Sequence, residues 1–160
     1  MSSYLVVIYG TSSANKDVGR QLARTLPGAS AVLSVDAFVD GAIVQPSDDA
    51  TAELDMAHTQ VRLLVANYMR NGYHVVVEGA FYYRRDGRLH RYEQDIDQLV
   101  ALMRNMTRKA LTVRLGPPAA GDGIEYRPRY GANAMTIDDP GSAEDVAEAI
   151  RLKLLAEEFT

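Results

Sequence analysis

Tyr4-Leu5-Val6-Val7-Ile8-Tyr9 is an unbroken apolar run rich in β-branched residues, with no polar position to turn toward water. A run of this kind reads as a strand buried on both faces, the habit of a parallel sheet. The rest of the chain repeats an alternation of such runs with helix-period segments. Val18, Leu22 and Leu26 recur at helical spacing until Pro27-Gly28 stops them. Ala31–Val35 reads as a second strand, closed by Asp36, and the stretch 37–50 is mixed, holding Gly41 and Pro46. Leu54, His58, Val61, Leu64, Val65 and Tyr68 mark a helix over Thr51–Asn71, with Gly72 just past its end. His74–Glu78 is a third strand, Tyr92–Arg108 a helix, and Leu111–Leu115 and Ala134–Ile137 the last two strands. Ser142 is placed to cap a final helix whose apolar stripe is Val146, Ile150, Leu154 and Leu155. Strands alternating with helices predict an α/β three-layer sandwich. A five-stranded parallel sheet is covered on both faces, with the Tyr4 strand at its centre. The chain of 160 residues has no repeat, linker or low-complexity tract, so residues 1–160 read as a single domain.

Composition removes several kinds of chemistry. There is no cysteine, which excludes disulfides, thiolate metal sites and cysteine nucleophiles. The formal net charge of -4 gives no general electrostatic reason to hold DNA or RNA, so nucleic acid is not the expected partner. The Tyr4–Tyr9 run is too short to span a bilayer and lacks a basic flank or cleavage site. No membrane association is expected, and a cytoplasmic location is.

In a parallel sheet, ligands gather at the carboxyl ends of the strands, where helix N-termini also point. Gly10-Thr11-Ser12-Ser13-Ala14-Asn15-Lys16-Asp17 lies there, between the first strand and the first helix. It resembles the Walker A loop, in which Gly, four residues, Gly-Lys and Ser or Thr wrap backbone N–H groups around nucleotide phosphates. Gly10 and Lys16 are in register, and two positions depart. Asn15 stands for the second Gly, a position that benefits from tolerance of positive φ, which Asn visits readily. Asp17 stands for the hydroxyl that ligates Mg²⁺; a carboxylate also binds Mg²⁺ but adds negative charge beside polyphosphate. Gly-Lys-Asp occurs at this place in some P-loop kinases, among them animal-type phosphomevalonate and phage deoxynucleotide kinases.

Two strand-end carboxylates, Asp36 and Glu78, are expected to point into the crevice that holds Lys16. With them the chain resembles the small P-loop kinases of the chloramphenicol phosphotransferase, zeta-toxin and nucleotide-kinase type, over nearly its full length by order of elements. That resemblance implies ATP and Mg²⁺ as cofactors and a nucleotide and a small molecule as ligands. By position it implies Asp36 as the base for an acceptor hydroxyl, Lys16 on the phosphates, and Asp17 and Glu78 near the metal, with Glu78 also near the acceptor. The alternative for Asp36 is a helix or turn cap.

Arg84-Arg85-Asp86-Gly87-Arg88-Leu89-His90-Arg91 is the densest basic segment. Arg84, Arg85 and Arg88 either grip an anionic acceptor, since arginine binds phosphate bidentately, or sit in a solvated loop balanced by Glu93, Asp95 and Asp97. Kinases of the resembled type place a helix and an arginine-bearing lid after the fourth strand. Here that place holds Gly116–Gly123, followed by Arg127 and Arg129, which are the candidates for a lid arginine. His58, His74 and His90 read as structural or solvated. Three functions compete: an ATP-dependent kinase of small molecules or nucleotides, a catalytically degenerate relative that binds a nucleotide or a protein partner, and a nucleic-acid end kinase. A homodimer is compatible with each.

Overall fold

The computed structural model describes residues 3–41, 45, 47–117, 126–129 and 133–156. Its central strand β1, Ser3–Tyr9, is buried at every position, as the apolar run demands. β1 pairs in parallel with β3 (His74–Glu78) on one side and β6 (Thr107–Leu115) on the other. β2 (Ser30–Ser34) joins the outer edge of β3 and β7 (Asn133–Ile137) that of β6, also in parallel. The order β2-β3-β1-β6-β7 is the predicted five-stranded parallel sheet with β1 in the middle.

Helices cover both faces. α1 (Asn15–Thr25) and α5 (Ala143–Ala156) seat Val18, Leu22, Ile150 and Leu154 against Val6, Ile8, Val76 and Val113. On the opposite face α3 (Ala50–Arg70) and α4 (Gln94–Leu102) seat Val61, Val65, Ile96 and Leu99 against Leu5, Val7, Val75 and Val77. Period-2 alternation along β1 sends successive side chains into these two cores. The caps follow the sequence: Asp49 accepts the Ala52 N–H at 2.9 Å to open α3, and Ser142 accepts the Asp145 N–H at 3.1 Å to open α5. Gly72, at φ +82°, turns the chain out of α3.

Three expectations are corrected. β2 ends at Ser34, and Asp36 lies in the first turn of a short helix, α2 (Val35–Asp40), rather than at a strand end. Val35 turns inward there and is fully buried, which starts the helix two residues before the apolar run suggests the chain should turn. The basic segment is an antiparallel hairpin, β4 (Tyr82–Arg85) with β5 (Arg88–Arg91). Its two-residue turn, Asp86 at φ 53° and Gly87 at φ 71°, has the double positive φ of a type I′ turn. Finally, α4 stops at Leu102, a short 3₁₀ turn covers Arg104–Met106, and β6 begins at Thr107 instead of Leu111. Pairing along the whole of β1, from Ser3 opposite Thr107 to Tyr9 opposite Arg114, draws this polar stretch into the sheet.

Candidate active site

The loop after β1 is set by two backbone approaches. Gly10 has φ +118°, and a Cβ there would lie 2.4 Å from the Leu115 carbonyl oxygen, so no side chain fits. Gly116, just past β6, has φ +85°, and a Cβ there would meet Thr11 Oγ1 at 2.7 Å. The two loops are thus stacked, and the Ser12 N–H donates to Leu115 O at 3.3 Å. Within the loop the Ala14 N–H donates to Ser12 Oγ at 3.1 Å. No side chain caps α1 at Ala14. The first-turn N–H groups of a helix have no partner inside it, and here they lie at the loop that carries Lys16.

Asn15 differs from the expectation. It is the first residue of α1 and does not use positive φ; among the described residues outside glycine only Phe81 and Asp86 do. Its side chain is buried at 6% exposure. Nδ2 donates to Gly10 O at 3.1 Å and, at a longer 3.5 Å, to Gly79 O. With carbonyl oxygens on that side, the amide cannot be flipped without placing oxygen against oxygen. Asn15 therefore fastens the start of the loop to the chain leaving β3, while its Oδ1 is buried without a partner.

A cleft of about 360 Å³ opens beside the loop, and Gly10–Ser13, Asn15, Lys16, Ser34, Asp36, Ala37, Glu78, Ala80 and Tyr82 line it. Parallel register makes this possible: Ile8 and Ser34 both pair with Glu78, so β1, β2 and β3 end level. Glu78 is 3% exposed and packs on α1, where a Cβ on Gly19 would lie 3.4 Å from its Cγ. Burial raises its pKa and Asp36 raises it further, against the Ser34 hydroxyl, Lys16 and Arg20, which lower it. Asp36 is also raised, first by burial; the Ala80 N–H, 3.4 Å from Oδ1, and Tyr83 pull the other way. Two partly desolvated carboxylates thus share a cleft with one ammonium.

The structure brings Gly10, Thr11, Ser12, Ser13, Asn15, Lys16, Asp36 and Glu78 together, with Ala14 held inside the loop. It does not bring the other candidates to that cleft. Asp17 is exposed on the first turn of α1 and does not line it. Arg84 is exposed on the hairpin. Arg85 donates to Asp40 at 2.6 Å, and Arg85 and Arg88 line a separate cleft of about 480 Å³ between the hairpin and the start of α3. Arg127 and Arg129 are exposed on a strip held against α4, where Asp97 accepts the Tyr126 hydroxyl at 2.8 Å and the Arg129 N–H at 2.9 Å. Of the lid segment expected at Gly116–Gly123, residues 118–123 lie outside the described residues. Sequence reasoning missed Ser34 and Tyr83 beside the carboxylates; the Asp86-Gly87 turn signal would have exposed the second.

The donor set suits a hard cation. Among the described residues no group of three or more His, Asp or Glu is gathered. Mg²⁺ is commonly held by one or two carboxylates plus phosphate oxygens, and a cation there would relieve the repulsion between Asp36 and Glu78.

No protein-family model and no curated protein matches the sequence. Solved structures do match by shape. A Chloroflexus aurantiacus protein, described only provisionally as a kinase, superposes with a TM-score of 0.65 at 15% identity, over 99% of this chain and 98% of its own. The Mycobacterium tuberculosis APS kinase CysC, in complex with AMPPNP and APS, gives 0.62 at 15% identity over 94% and 96%. Shikimate kinase from Acinetobacter baumannii, in complex with shikimate, gives 0.61 at 14% identity over 100% and 97%. The chain has the P-loop kinase fold. At these identities the likeness is one of fold.

Proposed function

We propose that the protein is an ATP-dependent phosphotransferase acting on a hydroxyl or phosphate of a small molecule or nucleotide. The observation that carries this reading is the meeting of Lys16, Asp36 and Glu78 in one cleft beside a glycine-started loop and an uncapped helix N-terminus. Phosphoryl transfer asks for positioning and charge neutralisation rather than covalent help. The first-turn N–H groups and Lys16 hold the β- and γ-phosphates of ATP. Glu78 is the residue that would hold Mg²⁺, and the metal, when bound, would neutralise charge on the phosphates. Asp36 takes the proton of the acceptor O–H as that oxygen bonds to the γ-phosphorus; the bond to the β–γ bridging oxygen breaks and ADP leaves. Asp36 fits a base because its pKa is raised toward the working range.

The second reading is a degenerate relative that binds nucleotide without turnover. It is favoured by the Asn15 side chain packed beneath the loop and by Asp17 lying off the cleft. ATP titration with and without Mg²⁺, joined to a coupled ADP assay over a panel of acceptors, separates the two. On the kinase reading Asp36→Asn keeps ATP affinity while turnover falls about 100- to 10,000-fold. Binding without turnover in the unaltered protein supports the degenerate reading, and no binding at all removes both.

A further inference from the structure

Tyr83 stands next to the cleft without lining it. Its ring is 7% exposed, on the inward face of β4, and its hydroxyl is fully buried with no partner in good hydrogen-bond geometry. The nearest groups that act on it are the Asp36 carboxylate and the Phe81 backbone N–H. The backbone at Phe81 is unusual. Phe81 is fully buried at φ 62°, a conformation that strains a non-glycine residue. The same turn sends the Ala80 N–H to Asp36 Oδ1. A buried hydroxyl left without a firm partner is costly, and a strained turn stands beside it.

We propose that Tyr83 is the positioning residue for Asp36: its hydroxyl accepts from the Phe81 N–H and donates to the Asp36 carboxylate, holding that group toward the acceptor. The proposal rests on the phosphotransferase reading for its purpose and not for its geometry. With Ala80 and Tyr83 both donating to it, the carboxylate keeps one orientation at the mouth of the cleft. Burial first, and Asp36 next, push the Tyr83 phenol well above its ordinary range, so it stays a donor at every working pH. The other charged groups around Asp36 are Asp40 on α2, Arg85 on β4, Glu78 on β3 and, across the cleft, Lys16.

Tyr83→Phe tests this, because it removes one oxygen and keeps the ring. Two readouts are compared in the unaltered protein, Tyr83→Phe, Asp36→Leu and the double variant. Urea unfolding should show Tyr83→Phe lowering the folding equilibrium constant about tenfold, as loss of a hydrogen bond to a charged group does. The same change made in the Asp36→Leu background should cost less than about threefold, since the acceptor is gone. Background hydrolysis of ATP, with water as acceptor, should fall about tenfold in kcat for Tyr83→Phe with KM for ATP unchanged. Equal losses in both backgrounds, or a Tyr83→Phe protein as stable as the original, overturns the proposal. Lack of any hydrolysis by the unaltered protein counts against the phosphotransferase reading alone, and the unfolding cycle still decides the role of Tyr83.

Discussion

Asp36 and Glu78 were legible as a pair because a carboxylate directly after a run of apolar residues has few places to go except a cleft. Asn15 was legible only as a departure, since nothing in a sequence tells whether an amide at that position faces the ligand or the carbonyls beneath. His58 shows the same limit. It lies on the inner face of α3 at 3% exposure, stacked 4.4 Å from the Tyr92 ring, with Nδ1 3.3 Å from Asp95 Oδ2. Burial first, and Arg62 next, lower its pKa to about 4, so the approach to Asp95 is that of a neutral imidazole and not an ion pair. A histidine held neutral in the fold stabilises above its unfolded pKa of 6.5, and that contribution is lost as pH falls toward 4. Asp36, Glu78 and Asp95, all raised, act in the opposite sense over the acidic range. Urea unfolding at several pH values should therefore show His58→Phe losing less stability than the original protein between pH 6.5 and 4. Parallel curves would mean that His58 binds its proton equally in the folded and unfolded states.

Elements announced by apolar periodicity are all present, the five sheet strands and the long helix α3 among them, although β2 and β6 differ in their ends. The failures share a cause: a local signal lost to charge or to brevity. Six residues of α2 carry too little periodicity to see. In the hairpin the arginines mask the strand pattern, although Asp86-Gly87 between two four-residue arms is a strong turn signal. This turn sets which side of β4 faces inward, with Tyr83 buried and Arg84 exposed. Gly87→Val forces a β-branched residue to φ 71° and should cost about 1–3 kcal/mol in urea unfolding. If that variant is as stable as the original, the hairpin is not an integral part of the cooperative fold.

At the scale of the whole molecule, the cleft is assembled by the ends of three neighbouring strands, so a ligand there binds β1, β2 and β3 together. Ligand that favours the folded state stabilises it by about 2.7 kcal/mol at a hundred times its Kd. For a chain of this size that is a rise in thermal midpoint of roughly 5–10 °C. Nucleotide at such excess should produce the shift, and Lys16→Ala should weaken ATP about ten- to a hundredfold through loss of a charge-assisted contact. An equal shift in Lys16→Ala at the same ATP concentration would remove Lys16 from the phosphate site. The amide beneath the loop bears on how such a protein changes over many generations. Because Asn15 holds the Gly10 carbonyl and, at longer range, that of Gly79, exchanging it for the glycine of an ordinary Walker A loop takes away that donor. A return to the common motif thus trades a donor to the loop backbone for the release of a buried unpartnered oxygen.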